Sequence, residues 1–329
     1  MSNTIHPELV NNRNQSIDLI KIIAMFGVIG LHVFIEYIDN PIVQIADNHI
    51  PIISIPLFFM VSGYLMTSKK TLDWKYVLRK VKNIVVFVST ISVIYYLLKF
   101  LMYNQKPSVS FLFQPYIQRG DLSKFWYFGA MIPIYLMAPF LVRLIRSKYL
   151  VSILVVGTLF LNCVFILNFM YGLELHIIQS FRVYTFAFYF IIGGGISFRG
   201  CKSNIWMALI ALLCVEFFVI LTRYFYNGND FFRVSFFYPS ICCVFASFLV
   251  FTYCNSLSIN NSRIIASISK LFLPVYTIHP LLIYYFRPLD WAFFDGMGVL
   301  IEFLLVSMLS VLISYLLMKV KLVSRIFTL

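Results

Sequence analysis

Apolar residues in this chain form long uninterrupted runs that stop at short polar stretches. An α-helix crosses the roughly 30 Å hydrocarbon layer of a bilayer in about 20 residues, and the runs have that length. Ten segments follow: 17–38, 50–67, 82–102, 124–142, 150–170, 181–198, 204–222, 233–254, 264–285 and 296–318. The pattern predicts an all-α integral membrane protein of about ten transmembrane helices, organised as one polytopic domain over residues 1–329. The longest outer connection, 103–123, carries Asn104, Pro107, Ser108, Ser110 and Gly120 and reads as a loop. No connection is long enough to fold alone, and no internal repeat is visible.

Composition supports the same class. The 329 residues are 61% hydrophobic and 12% charged, with 35 Phe and 21 Tyr, too much apolar surface for a soluble fold to hide. Disordered and fibrous classes are excluded on the same ground. The net charge of +13 would suggest nucleic acid in a soluble protein, but its distribution points to a membrane. Lys69, Lys70, Lys75, Arg79, Lys80 and Lys82 lie between the second and third segments; Arg143, Arg146 and Lys148 lie between the fourth and fifth. The termini and even-numbered connections together hold 17 Lys and Arg residues, and the odd-numbered connections hold seven. Positive charge marks the cytoplasmic side, so both termini are expected in the cytoplasm. The lipid bilayer is then a partner, and nucleic acid is not. The first apolar run is too long for a signal-peptide core and lacks a small-residue cleavage site, so it reads as an uncleaved first span. The setting expected is a bacterial plasma (inner) membrane. The six cysteines form no CxxC, and neither a disulfide framework nor a metal site is expected.

The chemistry concentrates in the first segment, which contains Asp18, Lys21, His32 and Glu36. At about 100° per residue these four side chains share one narrow stripe, with His32 about 20° from Lys21 and the two acids about 60° from it. Ionisable groups facing lipid near a helix centre cost roughly 2.5–3.5 kcal/mol each, so the stripe must face the bundle interior or a water-filled cavity. Lys21 and His32 are separated by a rise of about 16–17 Å. Lys21 has two readings, an anchor at the inner surface or part of a site. His32 reads as functional, because an imidazole with an ordinary pKa of about 6.5 suits general-base work at neutral pH. Asp18 and Glu36 either balance charge along the stripe or mark the two interfaces.

A second candidate lies in segment nine, where His279 precedes Pro280 and follows Tyr276 by three residues on the same helix face. Pro280 frees a carbonyl one turn earlier, as at kinks that line cavities. Glu216 in segment seven reads as an interior carboxylate, with Arg223 as one possible partner. Trp126, Tyr127 and Tyr64 read either as interfacial aromatics or as sugar-stacking residues. Gly193, Gly194 and Gly195 predict close helix packing, not a phosphate loop. His6, His49 and His176 fall in loops and are given no role. The chain contains no GxSxG, no HExxH and no paired-carboxylate motif.

These residues fall into motifs. RNQSIDLIKIIAMFGVIGLH (Arg13 to His32) resembles the opening of the membrane acyltransferase-3 family, in which a basic residue precedes the proposed catalytic histidine by the spacing of Lys21 and His32. IPLFFMVSGYLM (Ile55 to Met66) is similar to the family's second helix, with Ser62, Gly63 and Tyr64 at its signature. Arg79 and Lys82 match paired basic residues entering helix three. FWYFGAMIPIYLMAPFL (Phe125 to Leu141) is similar to helix four, with Trp126 and Pro139 matching. Members often carry a His just before that Trp; this chain has Lys124 and Phe125 there. VYTIHPLLIY (Val275 to Tyr284) resembles the late tyrosine–histidine motif through Tyr276 and His279. The middle of the chain, about 145–260, matches poorly and is expected to shape acceptor choice.

The resemblance implies transfer of an acyl group from cytoplasmic acyl-CoA to a hydroxyl of a surface polysaccharide or lipid-linked glycan. Acetyl-CoA is the default donor, with succinyl the alternative, and it acts as a substrate; no permanently bound cofactor is expected. His32 would act as general base or as acyl carrier. Lys21, His279 and Tyr276 complete the expected catalytic set. Lys21, Lys69, Lys70, Arg79, Lys82 and Arg143 are expected to pair with CoA phosphates, unless the basic loops serve topology alone. Glu36, Tyr64, Trp126 and Glu216 are the expected acceptor contacts. The competing reading is a transporter or flippase in which intramembrane His, Lys and Glu form a substrate or proton path.

Overall fold

A computed structural model describes residues 14–34, 50–104, 109–172, 177–226, 237–259, 262–286 and 296–327. Among them every regular element is a helix. The α-helices are α1 (Gln15–Phe34), α2 (Ile50–Thr67), α3 (Trp74–Tyr103), α4 (Trp126–Ile145), α5 (Leu150–Tyr171), α6 (Val183–Arg199), α7 (Ile205–Tyr226), α8 (Ile241–Ser256), α9 (Arg263–Ser269), α10 (Phe272–Phe286), α11 (Gly296–Lys319) and α12 (Lys321–Ile326). Short 3-10 turns, Val109–Leu112, Gln114–Ile117 and Ser123–Phe125, fill the connection before α4.

Among the described residues six helices are long and apolar enough to cross a bilayer: α1, α3, α4 with its preceding turn, α5, α7 and α11. The pair α9–α10 passes the same test together, bent by 61° at its break, and would make seven. The apolar helical stretches Pro51–Thr67 in α2, Val183–Arg199 in α6 and Ile241–Ser256 in α8 sit at the expected places but are no longer than 17 residues. Multi-pass, all-helical architecture is therefore established, and the count of full-length spans among the described residues is below the ten expected. Helix boundaries also depend on caps, which hydropathy does not see. Among the described residues of segment 233–254, the helix begins at Ile241, where Ser240 adopts extended backbone and its hydroxyl accepts the Cys243 N–H at 3.2 Å. Segment 82–102 errs the other way. Its helix starts at Trp74 because Asp73 caps it, accepting the Tyr76 N–H at 3.0 Å.

The helix carrying the polar stripe is enclosed by protein. α1 packs on α2, α8, α9, α10 and α11, and Ile17, Ile20, Ala24, Val28 and Ile29 are buried. Peripheral α5 and α7 instead expose Val155, Val156, Leu159, Leu213 and Phe217, as lipid contact requires. The start of α1 is tied down by side chains. Asn14 Oδ1 accepts the N–H groups of Ser16 and Ile17, the Ser16 hydroxyl donates to the Leu257 carbonyl at 2.7 Å, and Gln15 Oε1 accepts the Ser262 N–H at 2.7 Å.

The tightest seam joins α2 to α6. A Cβ on Gly63 would lie 1.9 Å from the Phe190 carbonyl oxygen, and one on Gly193 would lie 2.0 Å from that of Met60. The two backbones touch, so only glycine fits, as the glycine run suggested. Phe59 and Phe186 stack beside this seam with centroids 4.4 Å apart.

Candidate active site

Two helices from opposite ends of the chain bring two imidazoles together. His32, in the last turn of α1, and His279, in the middle of α10, stack with ring centroids 5.4 Å apart and planes 20° apart. His279 is buried and His32 is partly exposed, so the pair has one enclosed and one accessible member.

The tautomer of His279 follows from its surroundings. Its Nδ1 lies 3.0 Å from the Val275 carbonyl oxygen, one turn back on α10. A carbonyl can only accept, so Nδ1 carries the proton and donates it in that bond. Nε2 is left with its lone pair and has no hydrogen-bond partner among the described residues. Pro280 follows inside the helix and supplies no N–H, leaving the Tyr276 carbonyl without its usual helical donor.

Tyr276 joins this pair to α4. Its ring meets His279 edge-on at 5.8 Å and 70°, and Phe125 at 5.6 Å. Its hydroxyl donates to the backbone carbonyl of Lys124, in the turn that opens α4. The Lys124 side chain is half-buried. The aromatic packing of Phe125, Phe128 and Phe272 around Tyr276 holds the assembly in place.

Lys21 belongs to the other end of α1. Its Nζ is 3.4 Å from Asp18 Oδ1 one turn earlier; Asp18 is 2% exposed and Lys21 26%. Lys80 lies within electrostatic range of Lys21 and Lys69, so the basic connection gathers at this same end. Lys69, Lys70, Arg79, Lys82 and Arg143 are exposed there, free to meet a polyanion. Arg146 is used differently. Its guanidinium donates to the Thr67 carbonyl at 3.0 Å, the Lys70 carbonyl at 3.2 Å and the Lys69 carbonyl, clamping the end of α2.

The remaining expected contacts are scattered. Tyr64 sits at the Lys21 end, where its hydroxyl accepts from Asn14 Nδ2 at 3.3 Å, far from the histidine pair. Trp126 and Tyr127 are buried, with the Trp126 ring 5.4 Å from Phe186, which removes the interfacial reading for both. Glu216 is buried on α7, and the side chain of its suggested partner Arg223 lies outside the described residues. Glu36 also lies outside them.

Three charged residues escaped the sequence reading. Glu302 is 1% exposed on α11, next to Phe303, whose ring packs on Phe34 of α1 at 5.3 Å. The rule applied to Glu216, a carboxylate inside an apolar run, would have found it. Arg182 is buried at the start of α6, where its guanidinium donates to the Ile177 carbonyl at 3.1–3.2 Å. Lys124 was noted only as standing, with Phe125, where family members often carry a His, and was given no role. Among the described residues no cluster of three or more His, Cys, Asp or Glu could hold a metal, and the cysteines are free thiols.

Comparisons with known proteins give the family. The family model Acyl_transf_3, described as an acyltransferase domain, matches residues 14–319. A curated protein described as an amino-acid racemase of Enterococcus faecalis is 22% identical over 341 residues, covering 95% of this chain and 47% of that protein. The chain spans about half the length of the curated relative it matches. No solved structure matches.

Proposed function

The chain belongs to the acyltransferase-3 family, and on that footing we propose that it is an integral membrane O-acyltransferase. The donor is cytoplasmic acyl-CoA, with acetyl the default group, and the acceptor is a hydroxyl of a surface polysaccharide or lipid-linked glycan. One observation carries the reading: the stacked His32–His279 pair, whose His279 Nε2 has no partner among the described residues, inside a bundle that matches an acyltransferase family.

The chemistry follows from the parts. Exposed Lys69, Lys70, Arg79, Lys82 and Arg143 meet the CoA phosphates at the Lys21 end. The pantetheine arm then has about 16–17 Å of α1 to cover between Lys21 and His32. His32 acts as general base on the acceptor hydroxyl, or takes the acyl group first and passes it on. His279, its tautomer held by Val275, is the second proton acceptor beside it. Tyr276 orients His279, and Lys21 is set by Asp18. Glu36, Trp126 and Glu216 remain candidates for the acceptor side.

Ten crossings with both termini in the cytoplasm of a bacterial plasma membrane accompany this reading. The apolar character of α2, α6 and α8 and the gathering of basic residues at one end support it. Racemase activity is not proposed, since that name describes a protein about twice as long as the matched part.

The test uses purified protein in nanodiscs with radiolabelled acetyl-CoA and compares wild type with His32→Ala. Transfer or hydrolysis of the acetyl group by the wild type alone supports both donor and histidine. Activity retained in a folded His32→Ala removes His32 as base or carrier. Donor binding and turnover absent from a folded wild type, with acceptor glycan supplied, return the transporter reading.

A further inference from the structure

Helix α5 does not close against its neighbour α6. Its buried residues are Leu150, Leu161, Val164, Phe165 and Asn168, so it meets the bundle at its first residue and in its second half and stands off between them. The two helices run antiparallel in a single register. A Cβ on Gly195 would lie 3.4 Å from Leu150 Cδ2, and one on Gly157 would lie 2.2 Å from Phe188 Cε2. Further along, the Phe160 and Tyr184 rings meet at 6.2 Å. Between these contacts runs a groove of about 530 Å³, from Ser152 to Leu161 on α5 and from Tyr184 to Ile191 on α6. Every α5 residue that lines it beyond Ser152 is apolar. Its lip faces outward, since Val156 is 64% exposed and Phe160 53%. In a bilayer, hydrocarbon is what fills such a gap.

The two ends of the groove differ. Ser152 lies toward the Lys21 end, because Arg146, just upstream, binds the Thr67 carbonyl there. Past Ser152 stand Lys148, in the turn before α5, and Arg199, in the last turn of α6; both are exposed. The register that sets Gly195 on Leu150 brings the end of α6 alongside that turn. Neither cation belongs to the set assigned to the acyl donor. From Ser152 to Leu161 the helix rises about 13–14 Å, close to half of the roughly 30 Å hydrocarbon layer. The groove therefore has the depth of one leaflet, with positive charge where a headgroup would sit. We propose that it holds one acyl tail of an anionic phospholipid from the leaflet at the basic end, whose phosphate meets Lys148 and Arg199. A polyprenyl chain would outrun a groove of this depth, and a zwitterionic head would gain less from two cations. The site lies on helices that do not carry the histidine pair, and the inference stands apart from the acyl-transfer reading.

The test is native mass spectrometry of the purified, delipidated chain in mild detergent. Phosphatidylglycerol and phosphatidylcholine with identical tails are titrated separately, and the affinity of the first lipid bound is compared. Wild type should bind phosphatidylglycerol about 25-fold more tightly, at about fivefold for each cation. The double variant Lys148→Ala/Arg199→Ala should lose that preference and keep its affinity for phosphatidylcholine. Val156→Phe, placed at the exposed lip, should fill the groove and weaken both lipids while the melting temperature stays that of wild type. Should Val156→Phe fail to fold, Ala187→Leu fills the groove from α6 and is read the same way. Equal binding of the two lipids by wild type overturns the proposal, and so does binding of neither. Phosphatidylglycerol binding untouched by the charge variant or by the groove-filling variant overturns it as well, leaving lipid contact without a site. Displacement of phosphatidylglycerol by equimolar polyprenyl phosphate overturns the choice of occupant and makes the groove the seat of a longer-tailed carrier.

Discussion

Replacing Tyr276 by Phe removes one oxygen and leaves everything else in place. The ring keeps its edge-on contact with His279 and its packing on Phe125, Phe128 and Phe272. What is lost is the hydrogen bond to the Lys124 carbonyl. Leaving this part-buried carbonyl without its donor costs at most about 1–3 kcal/mol, the penalty of a fully buried group. If all of that reached the transition state through a loosened His279, kcat would fall roughly 5- to 150-fold, at 1.36 kcal/mol per tenfold. A hydroxyl that itself moved a proton in the reaction would contribute about 10²–10⁴-fold instead. Because the Tyr276 hydroxyl already donates to the backbone, the smaller range is expected. The assay is acetyl transfer in nanodiscs beside a thermal unfolding curve, and the melting temperature should fall together with kcat. A loss beyond about a thousand-fold at unchanged melting temperature would refute the argument and make Tyr276 a direct participant. No change in either quantity would refute it from the other side, showing that the bond to Lys124 positions nothing.

Two further substitutions probe the same architecture. In His279→Asn, the side-chain amide can still donate toward the Val275 carbonyl but offers no basic nitrogen; acetyl transfer should fall by about 10²–10⁴-fold while size-exclusion behaviour stays that of wild type. In Gly193→Ala, the new methyl would begin 2.0 Å from the Met60 carbonyl oxygen, and α2 and α6 must part to admit it. The helix-propensity gain of roughly 1 kcal/mol is outweighed by an overpacking cost of about 1–3 kcal/mol or more, so folded yield and melting temperature should drop, with a stable protein counting against the seam as described.

Legibility of the site varied with the kind of information each residue carries. His32 and His279 stood out because an ionisable group in an apolar run is costly wherever it lies, and that cost is local to the sequence. Their meeting was not legible, since it depends on α1 and α10 packing across nearly the whole chain. Lys124 was missed because a charge at the edge of a segment looks like any loop charge until Tyr276 fixes its place. Trp126 looked interfacial from its position at a segment end, yet Phe186 of α6 covers it. The helices fell where apolar runs predicted, but their lengths were set by caps such as Asp73 and Ser240, which act outside the hydropathy pattern. Arg146 was counted only as a loop charge, but its donors are spent on three carbonyls at and just past the end of α2.

The fixed tautomer of His279 sets a traffic rule for protons. Nδ1 is occupied by its bond to Val275, and the carbonyl there cannot relay a proton onward. The ring therefore has a single door. A proton that enters at Nε2 must leave at Nε2, toward whatever group then stands in front of it. If His279 serves the transfer, the acceptor oxygen and the departing sulfur have to take turns at one edge of one ring, and neither can be served from behind. Such a centre favours donor and acceptor present together over two visits separated by a long wait, because a stranded proton would leave the imidazole closed to the next hydroxyl.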